Sequence, residues 1–218
     1  MSHTRIKFCG LTREQDVRLA VELGVDQIGL VFAPASSRRL QLDHAAALRS
    51  VIPREVAAVA LVMDNPRGEI EAIVQSVAPD LLQFHGGEDD AFCRSFGIPF
   101  LKAVPMGASG ANAATAASLF PSAYGLLLDG HGPGEAGGSG LRFDWTRTPG
   151  NTQTRFLLAG GLSADNVGLA IRTARPWGVD VSSGIEQAPG IKAADKMRYF
   201  VEESRRADSS QRRANGQD

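Results

Sequence analysis

The chain has 218 residues, which fit one large domain better than two small ones. Its 23 lysines and arginines balance 24 aspartates and glutamates, and the net charge of −1 lacks the basic field that attracts nucleic acids or anionic membranes. The two cysteines, Cys9 and Cys93, are too few for a disulfide framework and lack metal-ligand spacing. No apolar run of about 18 residues exists, and Met1–Lys7 lacks the apolar stretch of a signal peptide. We therefore predict a cytoplasmic enzyme with no nucleic-acid or membrane partner.

Short apolar segments recur along the chain, and most are followed by a longer segment with helical periodicity. The predicted strands are Ile6–Cys9, Gln27–Phe32, Val56–Met63, Leu81–Phe84, Phe100–Val104, Tyr124–Asp129, Phe156–Ala159 and Val179–Ser182. The predicted helices are Arg13–Leu23, Leu42–Val51, Glu69–Val77, Asp89–Phe96, Ala111–Leu119, Ala164–Thr173 and Ala193–Glu203. The strands are nearly continuous in apolar character, as expected of a parallel sheet that is buried on both faces.

Eight strands alternating with helices within residues 1–205 predict a single (β/α)8 barrel, an α/β fold. An open doubly wound sheet has the same alternation but usually fewer strands, so the count favours the barrel. The connection Gly130–Asp144 has six glycines and no helical pattern. Its place after the sixth strand predicts an active-site loop rather than a linker. Residues 206–218 are polar and are predicted to form a disordered tail without a function.

In such a barrel the reactive groups lie at the carboxyl ends of the strands. Cys9 ends the first strand, and Gly10 allows a sharp turn beside it, but a cysteine here is as readily a small apolar residue as a catalyst. Cys93, within a helix, is interpreted as packing. Asp129 ends the sixth strand, where burial would raise the pKa of its carboxyl and suit it to general acid catalysis. No helix follows Asp129 directly, so capping is the less favoured role.

The loops after the seventh and eighth strands are rich in small residues, which allow backbone N–H groups to approach an anion closely. The first contains Gly160, Gly161 and Leu162, and the second contains Ser183 and Gly184. Barrels of this class commonly bind phosphate at these two loops. We therefore predict a phosphorylated small-molecule substrate, with tight turns as the alternative role of these glycines.

Three basic residues and a histidine remain close to the strand ends. Arg38 and Arg39 follow the second strand, and one of them could bind a substrate carboxylate while solvent surrounds the other. Lys102 lies in the fifth strand and suggests a rival function, a Schiff-base aldolase, unless it is an electrostatic partner of another group. His85 ends the fourth strand and is left unassigned.

From Lys7 to about Lys196 the sequence resembles the phosphoribosylanthranilate isomerase family, whose motifs occur here in the same order. The matching segments are Lys7-Phe8-Cys9-Gly10, Phe32 through Leu40, Gln83-Phe84-His85-Gly86, Leu128-Asp129, Gly137-Gly138-Ser139-Gly140, Phe143-Asp144-Trp145, Ala159-Gly160-Gly161-Leu162, Gly178 through Glu186 and Pro189-Gly190-Ile191-Lys192. The departures from the family's usual residues are Ser37, Gly130 and Ser139. None of these three removes a reactive group.

The resemblance implies a TIM barrel and an Amadori rearrangement in tryptophan biosynthesis, from N-(5′-phosphoribosyl)anthranilate to 1-(2-carboxyphenylamino)-1-deoxyribulose 5-phosphate. It implies Asp129 as general acid and Cys9 as general base, with no metal and no organic cofactor. Lys7 or Lys102 would then lower the pKa of the Cys9 thiol. The residues implied in substrate binding are Lys7, Arg38, Gly161, Leu162, Asp180, Ser183 and Gly184.

Two other functions stay open at this point. One is the aldolase that would use Lys102. The other is a catalytically silent phosphate-binding module, against which the presence of both Cys9 and Asp129 argues. The only partner expected is the small phosphorylated substrate, and the chain is expected to be a monomer or a homodimer.

Overall fold

Eight parallel strands close into a barrel in the computed structural model, which describes residues 3–107, 112–130, 143–148 and 154–214. The strands are β1 (Arg5–Cys9), β2 (Gln27–Val31), β3 (Ala57–Val62), β4 (Leu81–Phe84), β5 (Phe100–Pro105), β6 (Gly125–Asp129), β7 (Phe156–Leu158) and β8 (Gly178–Val181). Each strand pairs with the next, and β1 also pairs with β8, with Ile6 opposite Val179. This closure confirms the predicted barrel and rules out the open doubly wound sheet.

Helices follow most of the strands and cover the outside of the barrel. They are α1 (Glu14–Glu22), α2 (Leu42–Ser50), α3 (Arg67–Val77), α4 (Asp90–Arg94), α5 (Ala113–Leu119), α6 (Ala164–Ala174) and α7 (Ala194–Ala214). Single 3₁₀ turns occur at Trp145–Arg147 and Ser183–Ile185. After β8 the chain also forms a short antiparallel pair, β9 (Glu186–Ala188) and β10 (Ile191–Lys192), which the sequence patterns did not predict.

The barrel strands are buried on both faces, which explains their continuous apolar character. Residues that face outward pack against the helices, among them Phe8, Leu30, Val62 and Leu128. Residues that face inward form one cluster of Val59, Leu81, Leu101, Ala103, Leu127, Leu157 and Ala159 and a second of Cys9, Val31, Ala33 and Leu61. The barrel interior is therefore a packed core, and the second cluster lies at the carboxyl ends of β1, β2 and β3.

The last helix is longer than predicted. Because α7 continues to Ala214, the expected boundary at residue 205 falls inside this helix. Asp208 is 7% exposed and accepts hydrogen bonds from the backbone N–H and the hydroxyl of Thr4, at 3.0 and 2.5 Å, and Ala207 is buried beside it. These residues attach the helix to the start of β1. One buried alanine and one paired aspartate are hard to recognise within a polar segment, so the docking is not visible from the sequence.

The glycine-rich connection that was predicted to be an active-site loop lies largely outside the described residues. The described chain reaches Gly130, which is buried directly after β6, and continues at Phe143. The prediction for this loop therefore stays a prediction. None of the described helices is long and apolar enough to cross a lipid bilayer.

We expect Asp208→Ala to lower the free energy of unfolding by about 1–3 kcal/mol, because it leaves the buried N–H of Thr4 without an acceptor. Urea denaturation followed by circular dichroism measures this change. The matched control is Glu202→Ala on the same helix, whose side chain is 62% exposed and whose loss should cost less than about 0.5 kcal/mol. Equal stability of the Asp208→Ala variant and the parent would show that the end of α7 adds nothing to the fold.

Candidate active site

A cleft opens at the carboxyl ends of the strands. Among the described residues, every barrel strand except β5 and β7 contributes to the lining, and the segment directly after β7 lines it as well. The lining on the β2 and β3 side is largely apolar and includes Val31, Ala33, Leu61 and Met63. The lining on the β7 and β8 side consists of small residues, Gly160, Gly161, Ser182 and Ser183. The cleft therefore has one side suited to an aromatic ring and another suited to an anion.

Cys9 and Lys7 lie two residues apart in β1 and both point into the barrel. Cys9 is a free cysteine, is 6% exposed and lines the cleft. Lys7 is fully buried beneath the lining and donates a hydrogen bond to Asp180 Oδ1 at 2.9 Å. Gly29 on β2 leaves room for both side chains, since a Cβ there would lie 2.7 Å from Cys9 Sγ and 3.1 Å from Lys7 Nζ. The sequence did not single out Gly29.

Burial and neighbouring charges together determine how these groups are protonated. Burial raises the pKa of the Cys9 thiol, and the ammonium groups of Lys7 and Lys192 offset this only in part. Lys7 therefore lowers the pKa of this thiol, as expected, but burial outweighs it, and the pKa lies above its ordinary value. Burial by itself would lower the pKa of Lys7, but Asp180 and the thiol outweigh it and raise that pKa, so Lys7 keeps its charge.

Two carboxyl groups, those of Asp129 and Asp180, line the same cleft as Cys9. Asp129 ends β6 and is 4% exposed, and Asp180 lies in β8 and is 8% exposed. Burial raises the pKa of Asp180, Lys7 opposes this rise, and the charge of Asp129 adds to it. The carboxyl groups of Asp129 and Asp180 are thus close enough to interact electrostatically. The predicted acid and the predicted base come from different strands and meet at one cavity.

The two loops expected to bind phosphate are in contact with each other. Gly160 and Gly161 have φ angles of 83° and 60°, a left-handed conformation that favours glycine. The backbone N–H groups of Gly161 and Leu162 donate to no protein acceptor within the described ranges. Ser183 begins the 3₁₀ turn, and a Cβ on Gly184 would lie 1.9 Å from the carbonyl oxygen of Leu162. Glycine at position 184 is therefore needed for packing between the loops, not only for the approach of an anion.

The structure separates the two neighbouring arginines. Arg38 lines the cleft and donates from Nε and Nη2 to the two carboxylate oxygens of Glu186, at 2.8 and 2.7 Å. Arg39 instead pairs with Glu69 at the surface, where the arginine side chain is 40% exposed. A guanidinium has more N–H groups than this bidentate pair uses, so Arg38 retains donors for a ligand.

Lys102 is not part of the cleft. It alternates along β5 with Leu101 and Ala103, which fill the barrel interior, so its side chain points outward. There its ammonium group donates to the carbonyl of Gly86 at 2.7 Å and to Glu88 Oε2 at 3.0 Å. The Schiff-base aldolase function proposed for Lys102 is therefore wrong, and the alternative of an electrostatic partner describes it. The charged groups that act most strongly on the Cys9 thiol are Lys7, Asp180 and Lys192, and Lys102 is not among them.

Sequence reasoning gave no role to Glu186 or Lys192, although both are nearly buried at this site. Lys192 Nζ donates to the carbonyl of Cys9 at 2.7 Å and to Glu186 Oε1 at 2.8 Å. The only signal for these two residues in the sequence was their place in the last two segments that resemble the family, Gly178 through Glu186 and Pro189-Gly190-Ile191-Lys192. His85, left unassigned from the sequence, lines the cleft, and its Nε2 lies 2.5 Å from the side-chain amide of Gln83.

Comparison with known proteins identifies relatives over nearly the whole chain. A family model described as N-(5′phosphoribosyl)anthranilate (PRA) isomerase matches residues 6–203. The N-(5′-phosphoribosyl)anthranilate isomerase of Xanthomonas campestris pv. campestris strain 8004 is 57% identical over 210 residues, which cover 94% of this chain and 95% of that protein. The protein of the same name from Stenotrophomonas maltophilia strain R551-3 is 54% identical over 206 residues, 94% of each chain.

Solved structures of phosphoribosylanthranilate isomerases are also similar to this chain. The phosphoribosylanthranilate isomerase of Thermotoga maritima superposes with a TM-score of 0.82 at 33% identity, covering 93% of this chain and 98% of that one. An isomerase in complex with reduced 1-(o-carboxyphenylamino)-1-deoxyribulose 5-phosphate has a TM-score of 0.76 at 31% identity, with coverage of 93% and 98%. Monomers generated from the dimeric Thermotoga maritima enzyme have a TM-score of 0.76 at 29% identity and the same coverage. This chain belongs to the N-(5′-phosphoribosyl)anthranilate isomerase family.

Proposed function

We propose that Cys9 and Asp129 form the acid–base pair with which this chain isomerises N-(5′-phosphoribosyl)anthranilate. The activity is that of the family, an aldose–ketose isomerisation in tryptophan biosynthesis that yields 1-(2-carboxyphenylamino)-1-deoxyribulose 5-phosphate. One observation carries the assignment of roles. A thiol from β1 and a carboxyl group from β6 line a single cleft, which lies between an apolar side and a loop side rich in backbone N–H groups.

Asp129 acts first, as the general acid. It donates a proton to the furanose ring oxygen while the bond between that oxygen and C1 breaks. The lone pair of the anthranilate nitrogen forms a double bond to C1, which gives a protonated Schiff base. With only 4% of its surface exposed, Asp129 delivers this proton in a site from which bulk water is largely excluded.

Cys9 acts second, as the general base. Its thiolate removes the proton from C2, and the electron pair of that C–H bond forms a C1–C2 double bond and neutralises the nitrogen. The resulting enolamine becomes the ketone when C1 gains a proton and the C2 hydroxyl loses one. Burial favours the thiol form of Cys9, whereas Lys7, Lys192 and the positive Schiff base all favour the thiolate.

The two ends of the substrate match the two sides of the cleft. We propose that the phosphate binds at the backbone N–H groups of the β7 and β8 loops, namely those of Gly161, Leu162 and Ser183, which line the cleft, and of Gly184, which packs against Leu162. The remaining donors of Arg38 bind the anthranilate carboxylate beside the apolar residues of β2 and β3. Asp180 contacts the substrate between these ends, and Lys7 acts from below the lining, through Asp180 and Cys9.

We further propose that the chain works in the cytoplasm as a monomer or a homodimer. The biosynthetic activity of the family, which acts on a small phosphorylated substrate, supports the location. A dimeric relative from which monomers were generated supports both oligomeric states.

A direct assay tests the activity. Freshly generated N-(5′-phosphoribosyl)anthranilate is added to the isolated chain, and the loss of its anthranilate fluorescence is followed. We expect turnover by the chain alone, without added metal or cofactor. A chain that binds inorganic phosphate but does not consume the substrate would instead be the silent phosphate-binding module.

We expect Cys9→Ser to reduce turnover by at least about 10²-fold, because a hydroxyl is too weak an acid to supply a base near neutral pH. The pH dependence of the parent's rate should have an ascending limb where the Cys9 thiol ionises and a descending limb where Asp129 loses the proton that it donates. Burial of Cys9 shifts the ascending limb toward higher pH. The control is Cys93→Ala, which removes a thiol that lies in α4 and should leave turnover unchanged. A Cys9→Ser variant with parental turnover would exclude Cys9 as the base.

We expect Asp129→Asn to reduce turnover by at least about 10²-fold with little change in KM, because the amide keeps the shape of the carboxyl group but donates no acidic proton. Steady-state kinetics of the parent and of the Asp129→Asn variant measure kcat and KM separately. Asp43→Asn, at an exposed aspartate of α2, is the control and should behave like the parent. Near-parental turnover of Asp129→Asn would mean that another group, with Asp180 the nearest candidate, opens the ring.

We expect Gly184→Ala to separate the two phosphate loops, because its methyl group would lie 1.9 Å from the carbonyl oxygen of Leu162. Competitive inhibition by inorganic phosphate should weaken about tenfold, which corresponds to ~1.4 kcal/mol. The control is Gly68→Ala on α3, where a Cβ meets nothing and phosphate inhibition should not change. Undiminished inhibition of Gly184→Ala would place the phosphate elsewhere.

A further inference from the structure

The antiparallel pair β9–β10 places two charged residues, Glu186 and Lys192, in nearly complete burial beside the cleft. Glu186 is 8% exposed and Lys192 is 2% exposed. Neither residue takes part in the proton transfers proposed above. Charged groups are rarely buried to this extent unless they are paired, and their desolvation is costly. The contacts of Glu186 and Lys192 therefore indicate what role these two buried charges have.

Lys192 connects the ends of two strands. Its ammonium group donates to the carbonyl oxygens of Cys9 at 2.7 Å and of Ser182 at 3.1 Å. Cys9 is the last residue of β1, and Ser182 directly follows β8. One cation thus satisfies two carbonyl groups at the point where the barrel closes. Its positive charge also favours the thiolate form of Cys9 and so lowers the pKa of that thiol.

Glu186 connects Lys192 to Arg38. Its Oε1 accepts from Lys192 Nζ at 2.8 Å and from Arg38 Nε at 2.8 Å, and its Oε2 accepts from Arg38 Nη2 at 2.7 Å. The stem of Arg38 passes directly over Gly10, where a Cβ would lie 2.4 Å from Arg38 Cδ. The guanidinium is therefore fixed in plane and direction before any ligand arrives, which reduces the ordering cost of binding.

We propose that Glu186 and Lys192 are positioning residues for the isomerisation, Glu186 acting through Arg38 and Lys192 acting through Cys9. This inference rests on the roles proposed above for Arg38 and Cys9. Glu186 directs the free donors of Arg38 toward the substrate carboxylate. Lys192 fixes the backbone that carries the thiol and supplies part of the positive charge that the thiolate needs.

The charged groups around Cys9 come from several elements. Lys7 lies on the same strand, Asp180 on β8, Lys192 on β10 and Arg38 on the loop after β2. The other titratable side chains in the described lining of the cleft are Asp129 and His85. Loss of Lys192 removes one of the two ammonium groups that favour the thiolate, and Lys7 cannot replace it because Asp180 already engages Lys7. The pKa of Cys9 should therefore rise.

Alkylation of Cys9 tests the role of Lys192 without any need for isomerase activity. The rate of reaction with iodoacetamide is measured from pH 6 to 10 by mass spectrometry, in a Cys93→Ala background that leaves one thiol. We expect Lys192→Met to shift the alkylation profile toward higher pH and to slow the reaction at neutral pH about tenfold, the effect of a one-unit rise in pKa. Lys192→Gln, which keeps a hydrogen-bond donor but not the charge, should shift the profile in the same direction.

An unchanged alkylation profile in both folded Lys192 variants, with only a lower melting temperature, would overturn the proposal for Lys192. That result would mean that the residue merely fastens β10 to the barrel. Because the assay reads the thiol directly, it gives an answer even if the chain proved unable to turn over the substrate.

Kinetics of Glu186→Gln test the other half of the proposal. The amide is close in size to the carboxylate but cannot form the charged bidentate pair, so Arg38 loses its fixed direction. We expect KM to rise about tenfold, equivalent to ~1.4 kcal/mol of binding, while kcat falls less than about threefold. Glu69→Gln, which breaks the neighbouring pair with Arg39 at the surface, is the matched control and should change neither constant.

Equal kinetic constants for Glu186→Gln and the parent would overturn the positioning role of Glu186. A loss of thermal stability without a rise in KM would do the same, because it would leave only a structural role. If the parent itself showed no turnover, the proposed function would fail, and the alkylation result for Lys192 would still stand.

Discussion

The ion pair between Lys7 and Asp180 lies where the barrel closes, and the site is built around it. It joins β1 to β8 with 2.9 Å between Lys7 Nζ and Asp180 Oδ1. Neither charge would be tolerated alone at such burial, so each depends on the other. Lys7 lies below the lining of the cleft and Asp180 lies within it, and Cys9 follows Lys7 two residues later at the end of β1. The pairing of β1 with β8, the burial of these two charges and the environment of the thiol therefore all depend on this one contact.

Further charged groups surround this pair. Lys192 contacts Glu186, Glu186 contacts Arg38, and the carboxyl group of Asp129 influences that of Asp180. Burial would raise the pKa of Glu186, but Arg38 and Lys192 outweigh it and lower that pKa, so Glu186 stays charged. The acid–base pair that we propose needs neighbouring charges of this kind, since burial alone would favour the neutral form of both groups.

The two lysines of the strands, Lys7 and Lys102, show how much depends on which face a residue occupies. Both are buried and both are paired with a carboxylate. Lys7 points into the barrel and acts on Cys9, whereas Lys102 points outward and binds Glu88. In a parallel strand that is buried on both faces there is no alternation of polar and apolar residues from which to read the direction. The aldolase alternative arose from this ambiguity, and the register of β5 removed it.

The sequence by itself determined the eight strand–helix units, the barrel and the strand ends at which Cys9 and Asp129 lie, because these follow from local periodicity and chain order. Only the tertiary structure decided what surrounds them. Arg38 and Glu186 are 148 residues apart, and Lys192 and Cys9 are 183 apart, so no local pattern connects them. Asp208 and Thr4, which are in contact, are 204 residues apart. Long-range contacts of this kind form only when the closure of the barrel brings its first and last strands together, and the desolvation that raises the pKa of Cys9 arises at the same step.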